Sequence, residues 1–248
     1  KEVEGRPGTR YARLPGGNRT YTVRFDEEIP ASFEDWIEAD LLQLDPWGIR
    51  TIRIDSYRVD ERRGRIVDQE ETALSRAEDR TWTMPDLRRR QEVNEERVGD
   101  LTGALDDLRI AGVVPKPAGI AADLRATEGI RLSPEDRDDL QMRGYFLAQD
   151  GSLVSNEGEL NVEMDDGVVY TLRFGEVAPT EKEGEPERRH LFVTARFDET
   201  LLPAPADEEP AQDASEEERT RIGEENERRR TEHQGKAGAA EARARDRT

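Results

Sequence analysis

Two Asp-Gly turns set between β-prone runs do most to limit what this chain of 248 residues can fold into. Tyr145 to Ala148 and Ser152 to Ser155 flank Asp150-Gly151, while Glu159 to Met164 and Val168 to Phe174 flank Asp165-Asp166-Gly167. Both positions of an Asp-Gly turn tolerate a left-handed backbone, which closes an antiparallel hairpin with the natural twist of its strands. A charged loop from Pro179 to Arg189 then precedes a last β-prone run, His190 to Phe197. The spacing therefore predicts an antiparallel meander from Tyr145 to Phe197.

Upstream the pattern mixes periods. Tyr11 to Leu14 and Thr20 to Phe25 read as a hairpin about Pro15-Gly16-Gly17-Asn18. Ser32, with Asp35 three residues on, reads as the cap of a helix carrying Phe33, Trp36, Ile37, Leu41 and Leu44 as its core stripe, ended by Asp45-Pro46. Ile49 to Val59 is a strand whose phase slips once, turned by Arg62-Arg63-Gly64 into a partner from Arg65 to about Leu74. Thr81 to Met84 suggests a further short strand. Pro85 and Asp86 lead into a long helical stretch with Val98, Leu101, Leu105 and Leu108 on one face, closing near Gly112. Pro115 to Leu132 is loop, and Ser133-Pro134 opens a helix that Gly144 closes.

The last 45 residues differ in kind. Residues 204–248 hold almost no apolar side chain larger than alanine apart from Ile222 and are dense in Glu and Arg, so they read as disordered or as a solvated helix. The expected fold class is α+β: repeated modules of antiparallel β-meander and hairpins with amphipathic helices packed on the sheets, plus this charged extension. The expected division is a first module over 1–84, a second over 85–203 and the tail over 204–248.

Charge and composition exclude several functions. With 38 basic against 57 acidic residues the formal charge is −19. Affinity for nucleic acid comes mainly from cationic neutralisation of phosphates, so general DNA or RNA binding is not expected. The absence of cysteine removes disulfides, thiolate metal sites and thiol nucleophiles. The two histidines, His190 in an expected strand and His233 in the tail, have no Gly-x-Ser-x-Gly elbow to serve. Pro15-Gly16-Gly17-Asn18 lacks the Lys-Ser/Thr of a phosphate loop.

Carboxylates are the one abundant reagent. Asp26-Glu27-Glu28, Asp106-Asp107, Asp165-Asp166 and the stretch Asp150 to Glu159 are the clusters in which a cation or an acid/base pair would have to sit. At this composition they read as solvated turns. Arg88-Arg89-Arg90 and Arg228-Arg229-Arg230 adjoin glutamates and read as paired runs on solvated helix faces. No catalytic, cofactor-binding or metal-ligating residue is assigned, and no cofactor is expected.

Thr22-Val23-Arg24-Phe25-Asp26-Glu27 recurs as Thr194-Ala195-Arg196-Phe197-Asp198-Glu199, and Ile29-Pro30 echoes Leu202-Pro203. Upstream, Arg10-Tyr11-Ala12-Arg13 falls near Arg189-His190-Leu191-Phe192, and Glu2-Val3 near Glu176-Val177. On this reading the chain is one and a fraction repeat units, cut at both ends.

Phe33-Glu34-Asp35-Trp36-Ile37, Leu105-Asp106-Asp107-Leu108-Arg109-Ile110 with Lys116-Pro117-Ala118-Gly119, Gly144-Tyr145-Phe146-Leu147, Ser155-Asn156-Glu157-Gly158-Glu159, and Gly167 to Tyr170 through Arg173-Phe174-Gly175-Glu176 follow in a distinctive order. Over about residues 1–203 that order resembles the bacterial domain of unknown function 4340 family, in its planctomycete-type form. The resemblance implies an N-terminal membrane anchor outside this stretch, modules on the extracytoplasmic side, and in some relatives an association with gliding-type ABC transporters. The expectation drawn from it is a non-catalytic interaction or scaffold module with protein partners, ABC transporter membrane components among them. Two alternatives stand beside it: a carboxylate-based or metal-dependent hydrolase, and a cytoplasmic acidic adaptor whose tail binds a basic partner.

Overall fold

The structure, a computed structural model, describes residues 2–3, 5–25, 33–60, 63, 65–85, 87–127, 129, 131–179, 186–211 and 213–246. In chain order its elements are β1 (Glu2–Val3), β2 (Arg6–Ala12), β3 (Tyr21–Arg24), β4 (Ile49–Asp60), β5 (Arg65–Arg76), β6 (Trp82–Thr83), α1 (Glu95–Asp106), α2 (Pro134–Met142), β7 (Tyr145–Leu147), β8 (Leu153–Ser155), β9 (Glu159–Met164), β10 (Val168–Ala178), β11 (Arg188–Phe197) and α3 (Glu216–Asp246). Pairing is antiparallel throughout these strands, and the fold class is α+β.

The chain divides into two compact units. One comprises Lys1–Ala39 with Ile110–Gly112, the other Asp40–Arg109 with Val113–Thr248. The first is built on the three-stranded sheet β1-β2-β3. Its hairpin turns where the Pro-Gly-Gly-Asn run stands, with Gly16 at φ 74° and the Gly17 N–H donating to the Leu14 carbonyl at 2.9 Å.

The second unit is built on a six-stranded sheet in the order β11-β10-β9-β4-β5-β6. After α1, α2 and the small β7-β8 hairpin, the chain returns as β9 beside β4, so Ile52 lies across from Val162 and Ile54 from Leu160. Residues 84 and 85, read from the sequence as a boundary, lie inside this unit, because β4–β6 and β9–β11 share one ladder. The core forms on one sheet face, where Ile52, Leu74, Leu160, Val162, Met164, Tyr170 and Leu172 meet Val98 and Leu105 of α1 and Leu42 and Leu44. Each such side chain, fully buried, contributes roughly 1.5–3 kcal/mol. A smaller core of Ile120, Leu124, Leu132, Leu140, Tyr145 and Leu153 closes the α2 and β7-β8 region.

Several sequence expectations hold. The phase slip in β4 is a register shift between Ser56 and Arg58. Both Asp-Gly turns close hairpins, with Gly151 at φ 79° and Gly167 at φ 89°. Ser133 caps α2 in a reciprocal capping box with Asp136, worth about 1 kcal/mol.

Others are corrected. Ser32 lies outside the described residues, and the helix expected to follow it is a single 3-10 turn, Phe33–Trp36, with Phe33 and Trp36 exposed. Backbone pairing takes over downstream: the Ile110 N–H donates to the Ala39 carbonyl at 2.8 Å and the Leu41 N–H to the Leu108 carbonyl at 3.1 Å. The Asp40 carboxylate also accepts from the Gln43 N–H at 3.0 Å, and Gln43 adopts φ 48°, which no helix tolerates. The helix read from Pro85 starts only at Glu95, capped by Asn94, because Arg90 at φ 81° and the Gln91 side chain bonded to the Arg88 N–H form a turn instead.

The tail is helical from Glu216, and its far end is docked rather than solvated. Ala240 and Ala244 are buried against the sheet core, where methyl groups are small enough to let the helix backbone close on β10 and β11. The two copies of the repeated motif are β3 and β11, each the edge strand of its own sheet. The upstream extension of the repeat does not carry over: Arg10 lies in β2, across the hairpin from β3, whereas Arg189 lies in β11 itself.

Candidate functional site

Side chains alternate across a strand, so the residues between the core rows stand on the other face of the six-stranded sheet. Three rows form there: Thr51, Glu163, Val169 and Arg196; Arg53, Asn161, Thr171 and Thr194; and Asp55, Glu159, Arg173 and Phe192. Except for Val169 and Phe192 these are polar, and neighbouring strands hold them within reach of one another.

Several of these groups pair with one another. Arg53 pairs with Glu163, whose side chain is largely buried. Arg173 Nε lies 2.8 Å from Glu159 Oε2. Thr171 Oγ1 donates to Asn161 Oδ1 at 2.6 Å, and Asn161 Nδ2 to Asp55 Oδ2 at 3.4 Å. Asp55 and Glu159 face each other in register, a carboxylate pair contributed by β4 and β9. Burial, and next the Glu159 charge, raise the Asp55 carboxyl above its ordinary value. Burial and the same glutamate also raise the buried Tyr57 hydroxyl beside Ser155.

Gly158 delivers Glu159 to this place. At φ 83° it passes so close to β4 that a Cβ would stand 2.2 Å from the Asp55 carbonyl oxygen. Gly175 plays a similar part under Tyr145, whose hydroxyl donates to the Arg173 carbonyl at 3.2 Å and whose ring meets Phe192 edge-on at 4.6 Å.

Apart from Glu159, which ends the stretch Asp150 to Glu159, the residues weighed from the sequence lie elsewhere and apart from one another. His190, on β11, has its pKa lowered by burial and by Arg143. His233 Nε2 lies 2.9 Å from the Leu202 carbonyl oxygen and fastens α3 to the segment before it. Asp26-Glu27-Glu28 lies outside the described residues. Asp106-Asp107 ends α1. Asp166 accepts from the Val168 N–H at 3.1 Å and pairs with Arg243 of α3. Asp150 accepts from the Ser152 N–H and hydroxyl at 3.0 and 2.6 Å, and these bonds lower its pKa. Among the described residues no group of three or more acidic or histidine side chains is placed to hold a metal ion.

The arginine runs separate in the structure. Arg88 to Arg90 precede α1 rather than lying on a helix. Arg228 pairs along α3 with Glu225 and Glu232, while Arg229 and Arg230 reach Glu208 and Asp207 on the incoming segment. Two open grooves follow α3, one along Glu216, Thr220 and Glu224, the other between β11 and Glu241, Ala244 and Arg245. Among the described residues no helix is long and apolar enough to cross a membrane.

Sequence reasoning placed its carboxylates in turns, Glu159 among them, and found neither Asp55 nor its pairing with Glu159. The available signal was the spacing of Arg53 and Asp55 within a strand, which marks one polar face, but the partner strand begins about a hundred residues later. The first unit presents a different surface: Tyr11, Tyr21, Val23 and Phe25 are exposed on its hairpin, Tyr11 and Tyr21 by half or more.

Comparison with known protein families gives a match. The family model described as Domain of unknown function (DUF4340) covers residues 1–129, ending before α2 and so including β4–β6 but not β9–β11 of the large sheet. No curated protein and no solved structure matches.

Proposed function

Because the chain belongs to the DUF4340 family, we propose that it is a non-catalytic interaction or scaffold module of a membrane-anchored, extracytoplasmic bacterial protein that serves a gliding-type ABC transporter. The observation that carries this reading is the contrast between two surfaces. On the large sheet, charged groups are neutralised by their own neighbours, Arg53 by Glu163 and Arg173 by Glu159. On the hairpin of the first unit, aromatic side chains stand in solvent. Buried internal pairing stabilises a face, whereas exposed aromatics are the usual anchors of protein contacts.

The test is made in the bacterium on the product of the whole gene. A photo-crosslinking residue replaces Tyr21, the envelope is fractionated, and the crosslinked partner is identified. Membrane fractionation with accessibility from outside the cytoplasm, and capture of transporter membrane components, is the expected result. A product confined to the cytosol overturns the anchored reading, and crosslinking to no protein overturns the interaction reading.

One observation favours a second reading, a carboxylate-based hydrolase: Asp55 and Glu159 face each other and Asp55 is raised. Glu159 is tied to Arg173 and Asp55 to Asn161, which suits a structural pair better than a free acid and base. Hydrolysis of any member of a glycoside panel, abolished by Asp55→Asn, would favour the enzyme.

A further inference from the structure

The surface that carries the interaction reading also states what it would bind, so the following rests on that reading. Among the described residues, strand β3 is the edge of its sheet, paired on one side with β2. The Phe25 N–H donates to the Gly8 carbonyl at 2.7 Å. Hydrogen-bonded and non-bonded pairs alternate along an antiparallel ladder. Val23 opposite Arg10 and Tyr21 opposite Ala12 therefore direct their backbone groups to β2, and Thr22, opposite Tyr11, turns its N–H and C=O to the outer edge.

Charge selects the occupant. Between Gly5 and Phe25 stand Arg6, Arg10, Arg13, Arg19 and Arg24 and no acidic residue, with Glu2 and Glu4 before this stretch and Asp26-Glu27-Glu28 after it, in a chain whose net charge is −19. Tyr21, Val23 and Phe25 share a strand face, and the Arg10 guanidinium lies 5.8 Å from the Phe25 ring centroid. Pairing with the same edge of a second copy would bring like charges together, which is unfavourable. A nucleic acid could meet the arginines and stack on the rings, but it has no regular run of donors for a strand's outward carbonyls, and the acidic remainder of the chain repels it. An extended acidic polypeptide meets both demands, the backbone ladder and the arginines.

The chain holds such a segment once already. Residues 203–211, free of helix and strand, run along α3, where Asn226 exchanges two hydrogen bonds of 3.0 Å with the Glu208 backbone. Arg229 lies 3.6 Å from Glu208, and Arg230 pairs with Asp207.

We propose that the outer edge of β3 receives an acidic segment of a partner protein as an added strand, with its backbone bonded at Thr22 and its carboxylates drawn by the arginines of the hairpin.

The whole chain is titrated into a fluorescein-labelled peptide of alternating Glu and Val, with a Lys and Val peptide, oligodeoxythymidine and phosphatidylglycerol vesicles in parallel. Saturable, salt-sensitive binding of the Glu and Val peptide is expected. Thr22→Val keeps the edge N–H and leaves binding unchanged. Thr22→Pro removes that N–H, and Arg13→Glu with Arg19→Glu reverses two exposed charges; each weakens binding about tenfold, the scale of one or two charge-assisted or backbone bonds. Preference for the Lys and Val peptide, the oligonucleotide or the vesicles overturns the proposal, as does an equal loss in Thr22→Val. If the acidic peptide does not bind while a partner is still crosslinked from position 21 in cells, strand addition is wrong and the interaction reading stands. If neither occurs, both fall.

Discussion

Asp55 takes its chemistry from what lies across the strand. Its carboxyl is raised above the ordinary 3.8 by burial and by Glu159, so folding favours the protonated form. The stability linked to that form is present below pH 3.8 and declines as the pH rises through the raised value. Asp55→Asn is therefore expected to raise the melting temperature at neutral pH and to leave it unchanged in acid, where both side chains are neutral; a lower melting temperature at neutral pH would contradict this. Asp198 is the opposite case. The Thr200 hydroxyl, and next Arg196, hold its carboxyl at about 2. What it contributes is present above 3.8 and lost as the pH falls through about 2. Carbon NMR of the Asp198 carboxyl should give a midpoint near 2, returning toward 3.8 in Thr200→Val.

Among the elements, α3 departs furthest from its sequence. Its 31 residues carry Glu and Arg on every side, and ion pairs such as Arg228 with Glu225 and Glu232 give only about 0.2–0.5 kcal/mol each. Two alanines, Arg243 on Asp166 and the His233 contact to Leu202 fasten it to the rest of the unit. Ala244→Glu places a charge and four extra heavy atoms in the seat beside Ala195, and should release the last turns of α3 while the sheet stays intact. Amide hydrogen exchange would then accelerate over residues 233–246 and not over β9 and β10; protection equal to that of the parent chain would show that the docking is not what orders the helix.

For the whole molecule the dominant field is its own negative charge. At −19 the folded surface repels itself, while exposed ion pairs of the kind seen here, such as Arg58 with Asp68, contribute about 0–1 kcal/mol each. Screening weakens both, and the repulsion is the larger. The melting temperature is expected to rise on going from very low salt to about 0.15 M, where the screening length is about 8 Å. A fall over that range would mean that the internal pairs outweigh the net charge. The same balance explains why the paired rows on the sheet do not show in composition: Arg53, Asp55, Glu159, Glu163 and Arg173 count as ordinary surface charges until register sets them side by side.

Local chemistry was legible wherever a residue and its near neighbours decide the outcome. The Asp-Gly hairpins, the Ser133 cap, the phase slip of β4 and the recurrence of the β3 motif in β11 all follow from backbone preferences or periodicity within a few residues. Tertiary structure alone decided what joins across distance. It set β4 beside β9, so that Asn161 reaches Asp55 from 106 positions away. It drew residues 39–41 from an amphipathic helix into pairing with residues 108–110, and gave two alanines the docking of a charged helix. The physical reason is common to all three: a backbone hydrogen bond or a buried methyl has its worth set by the partner that arrives, and that partner is not written in the local pattern.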